Sequence, residues 1–210
     1  MFNSEWGAPK TKKVVIVFDK DSKMYAEYLF QKISANNKIG ENIVSAVLWD
    51  EKQFLANEAT WSSENYVLYV GDSDLAKETQ MFMDVKYDEA GIRILGLGKK
   101  AVLYVEDKNL SEEEDFTKLN ALYEKYKEEI EKKDMSSFNK KHSNIKKAAL
   151  TGLVLFTPLS LVGVAGAAAV GLGGNKLLDS RKEKEQIKII QKLCATTMFY
   201  HEFLPDFLEG

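Results

Sequence analysis

The sequence predicts an α/β protein: a doubly wound, mostly parallel sheet of four to five strands, then an apolar helical segment and a C-terminal amphipathic helix. Three observations point there. Short continuous runs of β-branched and aromatic residues, such as Val14-Val15-Ile16-Val17-Phe18, suit strands buried on both faces. These runs alternate with stripes of apolar residues at helical spacing. Asp, Ser and Gly stand at the junctions, where a strand hands over to a helix.

Val14–Phe18 gives the first strand. Asp21-Ser22 caps a helix whose stripe is Tyr25, Leu29, Phe30 and Ile33. A second strand covers Ile43 to Trp49, with a short helix from Gln53 to Ala59. The third, Tyr66–Val70, runs into Gly71-Asp72-Ser73-Asp74, and a helix is expected from Leu75 to Lys86. Ala101–Val105 is a fourth strand, pairing with Ile92 to Leu95. Beyond Leu110 an acidic first turn opens a long helix with the stripe Leu119, Leu122, Tyr123, Tyr126 and Ile130.

The 210 residues carry a net charge of −3, which speaks against a nucleic-acid partner. The charge is uneven: residues 136–210 hold ten Lys/Arg against six Asp/Glu, leaving 19 against 26 in residues 1–135. One cysteine, Cys194, excludes a disulfide scaffold or a multi-thiolate zinc site. It falls on an apolar stripe and reads as a packed thiol. His142 and His201, the two histidines, lie in no nucleophile or metal motif. No Walker A or Gly-x-Gly-x-x-Gly follows the first strand, and Gly96-Leu97-Gly98-Lys99-Lys100 precedes a strand, so it reads as a turn.

In open α/β sheets, ligands sit beyond the carboxyl ends of the strands. There the sequence places Asp19, Asp21, Asp50, Gly71, Asp72 and Ser73, followed by Glu106 and Asp107. Such carboxylates suit ribose hydroxyls or a magnesium ion. Helix capping by the same residues is the favoured reading. No metal centre is assigned and no cofactor is named.

The pattern Val15-Ile16-Val17-Phe18-Asp19-x-Asp21, a helix, and Asn65-Tyr66-Val67-Leu68-Tyr69-Val70-Gly71-Asp72-Ser73 resembles TIR-like and flavodoxin-like domains over residues 13–135. The resemblance implies the fold. It also implies, from TIR enzymes that cleave NAD, a catalytic glutamate on the helix after the third strand. Glu78 in Asp74-Leu75-Ala76-Lys77-Glu78 matches by position.

Residues Ala148 to Gly174 form a run of 27 without charge. Small residues recur every fourth position: Gly163, Ala167 and Gly171, and one face over Ala165, Ala169 and Gly173. That spacing is a glycine zipper, which lets helices approach closely in lipid. Its length suits a kinked single span or a re-entrant hairpin, since a span needs about 20 apolar residues. A buried hairpin in a soluble protein is the competing reading.

The expected organisation is an α/β domain over 1–135, a basic linker over 136–147, the apolar segment over 148–174 and a C-terminal helix over 175–210, stopped by Pro205. No signal-peptide pattern opens the chain. Its expected place is therefore cytoplasmic, on the inner face of the cell membrane. The leading functional expectation is a membrane-associated sensor or effector, of the bacterial stress or phage-defence kind, in which the α/β domain controls oligomerisation of the apolar segment. Membrane lipid, further copies of the chain and a nucleotide are the expected partners. One alternative is an NAD-directed enzyme using Glu78, with Asp19, Asp50 or Asp72 near the ligand. The other is a soluble binding or scaffold protein whose apolar hairpin is core or dimer interface.

Overall fold

A computed structural model describes residues 11–58, 65–106, 113–131 and 175–209. The chain divides into two compact units. One holds Met1–Asp88, Ile92–Glu106 and Ala195–Gly210; the other holds Glu89–Gly91 and Asp107–Cys194.

The first unit is built on a seven-stranded mixed sheet. Its strands are β1 (Thr11–Phe18), β2 (Lys38–Ile39), β3 (Asn42–Asp50), β4 (Tyr66–Val70), β5 (Asp84–Glu89), β6 (Ile92–Leu97) and β7 (Lys100–Val105). They lie in the order β2-β3-β1-β4-β7-β6-β5. Four neighbours, β3, β1, β4 and β7, run parallel. β2 pairs antiparallel with β3, and β6 antiparallel with β7. The expected four or five mostly parallel strands are thus extended by antiparallel β2 at one end and by β6 and β5 at the other.

Burial explains the centre. Val14 to Val17 and Tyr66 to Val70 are all buried, because both faces are covered. Val15, Val17, Val67, Tyr69, Leu95, Val102 and Tyr104 share one cluster with Phe54 of α2 (Glu51–Asn57) and Ala76 of α3 (Asp74–Gln80). The alternate residues look the other way, where Tyr66 meets Phe207 edge-on at 5.2 Å between ring centroids. α1 (Lys23–Ala35) buries Tyr25, Ala26, Tyr28, Leu29 and Ile33.

The sequence expectation for α3 is corrected. The helix ends at Gln80, a turn carries the chain through Met81 and Phe82, and residues 84–89 form β5 instead of continuing the helix. Met83, Val85 and Tyr87 alternate with Asp84, Lys86 and Asp88, a period of two that suits a strand and not a helix.

In the second unit, α4 (Glu113–Glu131) buries Leu119, Tyr123, Tyr126 and Ile130. α5 (Asn175–Met198) buries Ile190, Leu193 and Cys194 within it, and Gln191 donates to the Ala90 carbonyl at 2.8 Å. The Cys194 thiol is fully buried, and its desolvation raises the pKa to about 12.

Pro205 does not stop the chain's helical course. It is the second residue of α6 (Leu204–Glu209), where a missing N–H costs little. A wider π-helical turn, Phe199–Phe203, lies directly before it. Leu208 is then fully buried.

The membrane expectation is also corrected. Among the described residues no helix is long and apolar enough to cross a membrane. The two longest, α4 and α5, have 19 and 24 residues and carry charge through their length, where a span needs about 20 apolar residues. The apolar run 148–174, with Gly163, Ala165, Ala167, Ala169, Gly171 and Gly173, lies outside the described residues, as does the linker 136–147.

Candidate functional site

The connection leaving β1 travels toward β3, and the one leaving β4 travels toward β7. The sheet order therefore reverses between β1 and β4, the place where open α/β sheets form a crevice. Asp19 follows β1 there, and Gly71 follows β4.

These two residues are in direct contact. Gly71 has φ +113°, and a Cβ added to it would collide with Asp19 Oδ2 and stand 2.5 Å from Ser22 Oγ. Only glycine fits such a backbone and such a neighbour. Asp19 Oδ1 accepts the Ser22 backbone N–H at 2.7 Å, and Gly71 donates its own N–H to the Leu103 carbonyl at 2.9 Å. The structure thus gathers Asp19, Ser22 and Gly71 at the switch point as a mutually packed turn. Ser22 also begins α1 through its carbonyl, which accepts from Tyr25 and Ala26.

Other sequence candidates have partners of their own. Asp50 caps α2 in a reciprocal box: its Oδ1 accepts from Gln53 N at 2.8 Å, and Gln53 Oε1 accepts from Asp50 N at 3.0 Å. Ser73 Oγ caps α3 by accepting from Ala76 N at 3.0 Å. Asp72 and Asp74 lie 3.8 and 3.4 Å from Lys77 Nζ, exposed pairs of small energetic weight. Asp21 is exposed in the loop after β1, and Glu78 is exposed on α3. Asp107 lies outside the described residues. Among the described residues, no group of three or more His, Cys, Asp or Glu is placed to hold a metal ion.

Glu106 takes part in a different arrangement. Arg93 Nη1 donates to Tyr104 Oη at 2.9 Å and to Glu106 Oε1 at 3.2 Å, while Arg93 Nε lies 3.2 Å from Asp88 Oδ2. Burial opposes the guanidinium charge, but the Tyr104 hydrogen bond and the two carboxylates outweigh it and raise the Arg93 pKa. This network braces β6 against β7 and β5 at one end of the sheet.

The surface that sequence reasoning missed lies where α3 hands over to β5. Met81 is 81% exposed, Phe82 74%, Val85 56% and Leu97 53%. Met83 packs against the cluster containing Leu95. Val85 and Leu97 stand exposed beyond that covered core. β5 is the last strand in the sheet order, six residues long, and among the described residues no strand pairs with its outer side. The opposite edge, β2, is only two residues long and offers little to pair with. The alternation of Met83, Val85 and Tyr87 with charged residues was the available sequence signal.

No family model, curated protein or solved structure matches the chain.

Proposed function

We propose that the α/β unit is a protein-interaction module, a sensor or scaffold part that works by assembly through the α3–β5 side of its sheet. One observation carries this reading. Three large apolar side chains and an open six-residue edge strand occur together, at Met81, Phe82, Val85 and β5. Scattered exposed apolar residues are ordinary on protein surfaces, but a cluster beside unpaired backbone groups favours docking of another chain. An unprotected edge of this length is a liability that proteins usually blunt. Binding gives a reason to keep it.

The strand-end residues support the same side of the choice. Asp50 and Ser73 spend their side-chain oxygens on helix N-termini, and Asp19 spends one on the turn it begins. Helix capping, the favoured sequence reading, accounts for Asp50 and Ser73 without a ligand, and a local turn accounts for Asp19.

The test is photo-crosslinking in cells. A benzophenone side chain introduced at Phe82 should give a protein adduct, whereas one at exposed Lys52 on α2 should not. Equal absence of adducts at both positions would contradict the reading.

A further inference from the structure

We infer that the partner of this edge is a second copy of the same chain, joined by antiparallel β5–β5 pairing with Val85 opposite Val85 of the other copy. This rests on the interaction reading above and adds the identity of the partner and the register.

The register follows from charge. A two-fold axis perpendicular to a sheet keeps each face on its own side, so it must pass beside a residue that opposes its own copy. Centred at Val85, the pairing sets Asp84 against the other copy's Lys86, and Lys86 against the other copy's Asp84. Both bridges form at once, because the symmetry repeats them. Asp84 and Lys86 share a face already, with Lys86 Nζ 3.6 Å from Asp84 Oδ2 within one strand. Lys86 covers buried Gly96, its Cε 3.5 Å from where a Cβ would stand. On that face the two copies present complementary charges.

The other face supplies the apolar contact. Val85 of each copy meets its counterpart there, and it is more than half exposed in the single chain. Phe82 and Met81 stand at the entry of β5, where the last residues of the partner's strand arrive.

Neighbouring registers are worse. Centring at Lys86 opposes Lys86 to itself and Asp84 to Asp88, a stack of like charges. Centring at Tyr87 sets Lys86 against the other copy's Asp88, a carboxylate already 3.2 Å from Arg93 Nε, opposes Val85 to Glu89 and calls on a ring already packed edge-on against Phe203 at 6.3 Å. Only the Val85 register satisfies both faces.

The experiment uses the full chain in sedimentation over a concentration series. The wild type should pass from monomer to dimer. Lys86→Asp turns both bridges into repulsions and should weaken the dimer by about tenfold or more. Combining it with Asp84→Lys restores complementarity and should restore the dimer, which a mere folding defect would not do. Val85→Cys should form an intermolecular disulfide under mild oxidation, and Tyr87→Cys should not; buried Cys194 does not compete.

A wild type that stays monomeric throughout, or a dimer indifferent to both charge reversals, overturns the inference. If the chain is monomeric but Phe82 still crosslinks to a different protein, the second copy is the wrong partner and the interaction module stands. If Phe82 gives no adduct at all, the module reading fails with it.

Discussion

The Asp19 carboxylate occupies the space that a side chain at Gly71 would need, which ties the end of β1 to the end of β4 at the point where the sheet reverses order. Gly71→Ala therefore meets two penalties: a positive φ that alanine adopts poorly, and a collision with Asp19 and Ser22. Together these should cost about 2–4 kcal/mol of stability in denaturant titration. In an Asp19→Ala background the collision with the carboxylate is gone, so the cost of Gly71→Ala should shrink toward the backbone term and the remaining Ser22 contact. Equal costs in the two backgrounds would separate the residues energetically and refute the contact's importance.

Tyr66 fastens the C-terminal helix to the sheet. Its ring is buried in β4, and its hydroxyl donates to the Leu208 carbonyl at 2.9 Å while accepting from Lys12 Nζ at 3.0 Å. Tyr66→Phe leaves that buried carbonyl without this donor and should cost about 1–3 kcal/mol. Amide exchange should quicken in Leu204–Glu209 more than in β7. Unchanged exchange there would show that apolar packing of Phe207 and Leu208 alone holds the helix.

Lys32 gives a pH signature. Its ammonium sits 4.9 Å from the Tyr28 ring centroid and 5.3 Å from that of Tyr200, and burial lowers its pKa from 10.5 to about 8. Between those values the unfolded chain holds the extra proton, so stability rises with pH through that window. Burial raises the Tyr25 pKa from 10.0, so above pH 10 the unfolded chain loses a proton that the folded chain keeps, and stability falls. Burial raises the Cys194 pKa from 9.0 to about 12, which acts in the same direction above pH 9, so the clean interval is pH 8 to 9. Denaturation midpoints of the wild type should climb across it, and those of Lys32→Met should be flatter. Parallel slopes for the two proteins would show that another group drives the rise.

Much of the fold was legible because the central strands announce themselves. β1, β4 and β7 are buried on both faces and therefore carry continuous apolar runs, as Val14–Val17 and Tyr66–Val70 do. The caps were legible too, since Asp50 and Ser73 stand directly before helical stripes. β5 was hidden for the opposite reason. An edge strand need not be apolar on either face, and Asp84-Val85-Lys86-Tyr87-Asp88-Glu89 contains four charges. Its continuity with the α3 stripe through Met81 and Met83 imitates a longer helix. The Asp19–Gly71 contact was beyond reach from sequence, because it depends on β4 lying next to β1.

The central claim is that β5 is an edge built for a second strand, and amide exchange in the 81–89 segment tests it most directly. Unpaired edge amides exchange fast in a monomer and slow down when another strand takes them as donors. The account predicts that exchange in this segment slows as protein concentration rises, that the two-residue β2 edge is unaffected, and that Lys86→Asp abolishes the effect. Exchange in 81–89 that stays equally fast at every concentration would contradict it.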